Sequence, residues 1–253
     1  MKILVHSDDP RAHTGYGTQA RKMAQIFRKL GHHTIFSAQF SNEATMSITD
    51  IDGVARNIYG MGKGKFIDPA LFHEIFDREK FDLLITMADW QMIDKMVEVQ
   101  PEIFCRWICY CAADGNMLTT RWDYLIQEIP YMVFFTPQFG EQVVSQRRLG
   151  YVEYCPLTVD PEIFKPLPDR EKIAAKAKEA MGWPSGCKTV LTVARNQWRK
   201  NYPEIVVAAK QLEKVHPGKF RFVFHCRPQE DFGWNLPQLL NYCDAHKLMA
   251  YLS

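Results

Sequence analysis

Arg195, Arg199 and Lys200 crowd one short segment, Ala194-Arg195-Asn196-Gln197-Trp198-Arg199-Lys200-Asn201-Tyr202-Pro203-Glu204. An apolar, β-branched run precedes it and a run of helical period follows. The cations therefore stand at the C-terminal end of a strand, the side on which open α/β sheets bind ligands. Asn201 has the side chain of a helix N-cap, and Pro203 falls in the first turn. A guanidinium offers a fork of N–H donors and an ammonium a compact charge, a pairing suited to the oxygens of a diphosphate. A solvated basic loop is the plainer reading of the same residues.

A second segment, Thr14-Gly15-Tyr16-Gly17-Thr18-Gln19-Ala20, joins an expected strand to an expected helix. Gly15 and Gly17 would let the backbone approach a ligand closely, and the helix N-terminus beyond them offers N–H groups to an anion. The segment also satisfies Gly-x-Gly-x-x-Ala, the loose form of the dinucleotide fingerprint. The end of the second strand, Ser37-Ala38-Gln39-Phe40, supplies no acid for a ribose hydroxyl, so a nucleotide-dependent oxidoreductase is the weaker reading. Asp50-Ile51-Asp52 has the form of a cation-holding Asp-x-Asp, but such tripeptides are common by chance and no metal site is assigned. His6 reads as a satisfied near-core residue.

Short apolar runs alternate with segments of helical period. Strands are expected at 2–7, 33–38, 81–87, 105–113 and 131–136. A helix is expected over 18–30, where Met23, Ile26, Phe27 and Leu30 recur on one face. The runs are continuous rather than alternating, as for parallel strands covered on both sides. Pro156, Pro161, Pro166 and Pro168 then mark an extended connector. Beyond it, a Lys/Ala-rich helix at 170–181 leads into a second αβ series, with strands at 187–194 and 220–226 and helices at 202–215 and 236–246. The last residues, 248–252, read as the opening of a further strand.

In order and spacing, the Gly15/Gly17 loop, the stretch Val159-Asp160-Pro161-Glu162-Ile163-Phe164-Lys165-Pro166 and the Arg195…Lys200-Asn201-Tyr202-Pro203-Glu204 segment resemble retaining glycosyltransferases of the GT-B fold, family 4 type. The resemblance spans almost the whole chain. It implies an α/β, GT-B-like architecture: a complete N-terminal Rossmann-like domain on the acceptor side at 1–155, a Pro-rich linker at 156–170, and a partial C-terminal nucleotide-sugar-binding domain at 171–253. It further implies that Arg195 and Lys200 grip the donor diphosphate and that Gly15 and Gly17 lie against its phosphate and sugar. Asp114, in Tyr110-Cys111-Ala112-Ala113-Asp114-Gly115, would contact the transferring sugar or the acceptor. The implied activity is retaining, hexosyl-type transfer from a nucleotide-diphosphate sugar, without a metal or a resident cofactor. Two positions depart from the family pattern: Thr158 stands where the linker usually has Gly, and Gln138 where a Ser often enters a helix. Glu171 and Glu179 match the spacing of the family's acidic pair but precede the second domain's first strand, so that pair is expected beyond Ser253. The alternative is a non-catalytic or incomplete transferase-like module that binds a nucleotide and needs a partner.

Composition bounds these readings. An apolar share of 47% and 28 glycines and prolines in 253 residues rule out a disordered, collagen-like or low-complexity chain. A net charge of +2 gives no strong nucleic-acid signal, because binding through backbone phosphates needs a basic excess. No apolar run reaches the roughly 18 residues needed to span a bilayer, and the N-terminus lacks the pattern of a signal peptide. The expected compartment is the cytoplasm, where the seven cysteines would remain free thiols. Arg21, Lys22, Arg28 and Lys29 on the first helix could touch an anionic membrane surface, though a solvated face is the better reading of them. An unfinished second sheet would leave an edge and apolar faces to be covered, so a longer natural chain, a homo-oligomer or a completing partner is expected.

Overall fold

The computed structural model describes residues 1–41, 46–51, 53–89, 92–101, 105–112, 129–138, 141 and 152–252. It divides into two compact units, Met1–Val159 and Asp160–Ser253.

The first unit is built on β1 (Lys2–Ser7), β2 (His33–Ala38), β3 (Met46–Asp50), β4 (Ala55–Gly60), β5 (Leu83–Asp89), β6 (Arg106–Ala112), β7 (Tyr131–Phe134) and β8 (Val152–Tyr154). They form one eight-stranded sheet in the order β3-β4-β2-β1-β5-β6-β7-β8. Every neighbouring pair is parallel except β3 with β4. Strand order reverses between β1 and β5, the arrangement that opens a crevice above the C-terminal strand ends.

Helices α1 (Gly15–Lys29) and α2 (Pro69–Glu79) explain the continuous apolar runs. Ile3, Val5, Phe36 and Ile85 point into one core with Ala20 and Ala24 of α1. Leu4, Ile35, Leu84 and Trp107 point into the other with Phe72 and Ile75 of α2. Successive strand residues thus alternate between two buried layers. The buried face of α1 is a stripe of Gly17, Ala20 and Ala24, small residues that let its backbone lie close to the sheet. Trp107 is fully enclosed and donates its indole N–H to Thr86 Oγ1 at 3.1 Å, which offsets the cost of burying that polar group. At the opposite end of the sheet, Glu79 accepts from Lys2 Nζ, Asn57 Nδ2 and the Tyr59 hydroxyl, joining α2 to β1 and β4. A short helix α3 (Ile93–Val97) follows β5.

The second unit contains α4 (Arg170–Ala180), β9 (Lys188–Val193), α5 (Tyr202–Val215), β10 (Phe220–His225), α6 (Leu236–Tyr242) and β11 (Met249–Leu252). Its sheet is three-stranded and parallel, ordered β11-β10-β9. Tyr202, Val206 and Ala209 of α5 and Leu236 and Leu240 of α6 pack on Phe222 and Phe224 of β10. In contrast, α4 buries no residue, and Leu191 and Val193 of β9 are 58% and 65% exposed.

Candidate functional site

Of the residues singled out from sequence, the glycines follow β1 in the first unit and the cations follow β9 in the second, beyond the C-terminal strand ends. In the first, Thr14 caps α1: its Oγ1 accepts from the Gly17 N–H at 3.0 Å and donates to Asp8 Oδ2 at 2.6 Å. The cap starts the helix at Gly15, three residues before the apolar period that reveals it in sequence. Gly15 and Gly17 therefore form the first turn rather than a free loop, and their surroundings differ. A Cβ on Gly17 would meet the carbonyl oxygens of Asp9 and Ala12 at 2.6 and 2.8 Å, whereas Gly15 faces open space. The missing side chain of Gly17 is occupied by the protein's own loop. Of the two, Gly15 has room for a ligand to approach.

The same loop is rich in carboxylates. Asp9 is gripped by the side chain of Arg11 and by its backbone N–H at 2.8 Å. Partial burial pushes the Asp9 carboxyl up, but the Arg11 hydrogen bonds and charge outweigh it and hold its pKa below the ordinary carboxylate value. Across the β1–β5 crevice the Tyr16 hydroxyl donates to Asp89 Oδ1. Asp114 lies outside the described residues, two positions beyond the end of β6.

In the second unit, Arg195 and Lys200 occupy the connection from β9 to α5, and both are exposed. Arg195 Nε donates to Glu230 Oε2 at 2.7 Å, with the Glu230 side chain only 14% exposed. Lys200 closes a 3-10 turn, Trp198–Lys200. Asn201 stands at the N-cap position of α5 in the left-handed conformation, φ 49°, and its side chain makes no cap hydrogen bond. That departs from the expected Asn cap: the side chain is spent on none of the helix amides, while the backbone makes the turn. Pro203 sits in the first turn as expected. Tyr202 is fully buried, edge-on to Phe224, and donates its hydroxyl to the Ala194 carbonyl at 2.8 Å, holding the strand end against α5.

Asn196 is the residue whose role sequence reasoning missed. Fully buried between the cations, it donates to the Arg227 carbonyl at 3.2 Å and the Trp234 carbonyl at 2.7 Å, and accepts from the Trp234 N–H at 3.0 Å. These bonds stitch the β9–α5 connection to the β10–α6 connection. Trp198 adds to the seam by donating its indole N–H to the Gly233 carbonyl at 3.0 Å. Gly233 packs so tightly that a Cβ would fall 2.2 Å from the Asn196 carbonyl oxygen. Only the local signal, an Asn beside an Arg, was visible in the sequence; its partners lie 31 to 38 residues away.

Among the described residues, no three His, Cys, Asp or Glu side chains gather to hold a metal ion. Asp50 of the Asp-x-Asp tripeptide accepts from the Gly53 N–H at 2.8 Å in the β3–β4 turn, and Asp52 lies outside the described residues. Cys109 and Cys111 are buried free thiols, while Cys105 is partly buried. No described helix is long and apolar enough to cross a membrane.

No protein-family model matches the chain, and no curated protein matches it. Solved structures do. The E. coli trehalose-6-phosphate structure bound with UDP-2-fluoro glucose superposes at a TM-score of 0.63 with 12% identity, over 100% of this chain and 73% of that one. A glycosyltransferase from Rickettsia africae ESF-5 gives 0.62 with 12% identity, over 99% and 67%. The α,α-trehalose 6-phosphate synthase from Burkholderia multivorans gives 0.62 with 13% identity, over 100% and 73%. The chain thus has an α/β fold of the GT-B, Rossmann-like type, and its structural similarity is to nucleotide-sugar glycosyltransferases.

Proposed function

We propose that the protein is a glycosyltransferase that moves a hexosyl-type sugar from a nucleotide-diphosphate sugar to an acceptor with retention, in the manner of family 4 enzymes. The observation that carries the proposal is the pair of exposed cations, Arg195 and Lys200, on a strand-to-helix connection braced by Asn196 and Glu230. When the bond from the anomeric carbon to the diphosphate breaks, its electron pair goes to the leaving nucleoside diphosphate. Arg195 and Lys200 neutralise that charge, and because their loop is held before the donor arrives, little reorganisation is needed during the reaction. Gly15 and the first-turn amides of α1 supply a close approach to the donor, and Asp114 contacts the transferring sugar or acceptor. No resident cofactor is invoked. Since guanidinium and ammonium groups meet the charge, turnover is expected to persist in EDTA. The cytoplasm is the proposed compartment.

The test is Arg195→Ala combined with Lys200→Ala. Calorimetric titration with UDP-glucose and related sugar nucleotides should show binding to the parent chain and a loss of about 100-fold or more in the double variant, the worth of two charge-assisted contacts. Equal binding by both proteins would remove the site assignment. A second reading, a nucleotide-binding assembly module without turnover, is favoured by the exposed Leu191 and Val193 and by an α4 that buries nothing. Donor binding without donor hydrolysis or transfer to any acceptor would select it.

A further inference from the structure

A cavity of about 740 Å³ lies within the first unit, beside the β1–α1 loop and the C-terminal ends of β2 and β4, with Asp8, Asp9, Arg11, Gln39, Phe40 and Ser47 in its wall. Its size falls in the range of small-molecule sites, and its chemistry is specific. The wall holds two carboxylates and a single guanidinium, and that guanidinium is spent: Arg11 Nε and Nη2 grip Asp9, and Nη1 lies 3.4 Å from Ser47 Oγ and Thr49 Oγ1. Among the described lining residues no cation remains to meet a phosphate, and the lining carries one more negative than positive charge. An anionic ligand would meet like charge without a counter-ion.

Two further residues mark the cavity as built for a ligand. Gln39 is 6% exposed and donates to Asp8 Oδ1 at 2.6 Å, while its buried Oε1 has no partner among the described residues. That oxygen has no surface open to the cavity, so the part Gln39 plays at the wall is to hold the Asp8 carboxylate in place. Phe40 holds a left-handed backbone, φ 51°, that a bulky side chain rarely adopts, yet the residue is 45% exposed. Its N–H is tied to the Lys65 carbonyl at 2.8 Å and its ring tilts against Phe66. Strain of this kind, retained to keep an aromatic ring in the open, is characteristic of ligand sites. Carboxylate acceptors beside an apolar ring match the hydroxyls and the C–H face of a sugar.

We infer that this cavity binds an uncharged polyhydroxyl compound, a sugar ring or polyol without phosphate, and that on the transferase reading above this compound is the acceptor. Asp8 accepts hydrogen bonds from the hydroxyls, and Phe40 covers one face of the ring.

The experiment is saturation-transfer NMR on the intact chain with glucose, maltose and myo-inositol, and with glucose-6-phosphate as the anionic counterpart. At least one uncharged probe should give signals, and glucose-6-phosphate should give none once Arg195 and Lys200, which offer phosphate a separate site, are both replaced by Ala. Phe40→Ala and Asp8→Ala should each weaken binding about tenfold, the loss of one stacking or charge-assisted contact, with thermal melts confirming that both remain folded. Gln39→Glu, which adds a third carboxylate without changing size, should also abolish the signal. Binding of glucose-6-phosphate to the Arg195→Ala/Lys200→Ala variant as strong as that of the uncharged probes, silence from all uncharged probes, or signals unchanged in folded Phe40→Ala and Gln39→Glu would each overturn the inference. The Arg195→Ala/Lys200→Ala variant should retain the sugar signal. Sugar binding without nucleotide-sugar binding in the parent chain would leave the cavity standing and remove the transferase reading; the reverse result would do the opposite.

Discussion

Near the end of β1, His6 is fully enclosed, its Nδ1 2.9 Å from Ser37 Oγ and its ring edge-on to Phe66 at 4.7 Å. Burial disfavours the charged ring and lowers its pKa from 6.5 to about 3, against a smaller opposing pull from the Phe66 backbone. Between those two values the unfolded chain binds a proton at this residue and the folded chain does not. The stability contributed by neutral His6 is therefore complete above pH 6.5 and declines as pH falls toward 3. The slope is at most about 1.4 kcal/mol per pH unit. Urea titrations of the parent and of His6→Gln, which keeps a partner for Ser37 but does not titrate, should diverge in that window, with the parent losing stability faster. Parallel slopes would remove the account. The sequence placed His6 correctly near the core, because a polar residue ending an apolar run has few other readings. The position of Arg195 and Lys200 on a strand-to-helix connection was equally legible, since it follows from local spacing. Glu230, the anion that holds Arg195, was not, because nothing within its own neighbourhood points to a residue 35 positions earlier.

Elements were legible where both faces are buried. The strands β1, β2 and β10 and the helix α5 emerge directly from apolar runs and helical period, because covered parallel strands have no polar face to interrupt them. The β3–β4 hairpin was missed for the converse reason. β3 alternates exposed and half-buried residues, and its turn was disguised as chemistry: Asp50 and Gly53, φ 77°, form the tight reversal that Asp-x-Asp-Gly also signals. The two connections that carry the cation site depend on a contact no periodicity reveals. Gly233→Ala should cost about 1–3 kcal/mol in urea denaturation, since the new methyl overlaps the Asn196 carbonyl. Gly186→Ala, which meets nothing within 4 Å, should stay within about 0.5 kcal/mol of the parent. Equal effects at the two glycines would mean that the loop seam yields freely and does not brace Arg195.

At the scale of the molecule, each unit has its own core: two layers around the eight-stranded sheet in the first, one cluster of α5, α6 and the strands in the second. The prolines between β8 and α4 lie in a stretch with no helix or strand. The apolar exposure expected of the second sheet falls on its first strand, which no pattern in the sequence singled out, because a β-branched run reads the same whether one side or both are packed. β9 lies at the margin of its three-stranded sheet, and Leu191 and Val193 stand open beside it. A strand so placed is a template: its unpaired backbone groups can accept another extended segment, and its side chains reward the encounter. Concentration then becomes a variable of the protein's behaviour. Sedimentation velocity on the parent chain should show reversible association that rises with loading, and Leu191→Thr with Val193→Thr should suppress it while preserving the strand. A parent that sediments as a single species at every loading would show instead that β9 resists pairing, and that its polar Thr189, Thr192 and Lys188 suffice as guards against it.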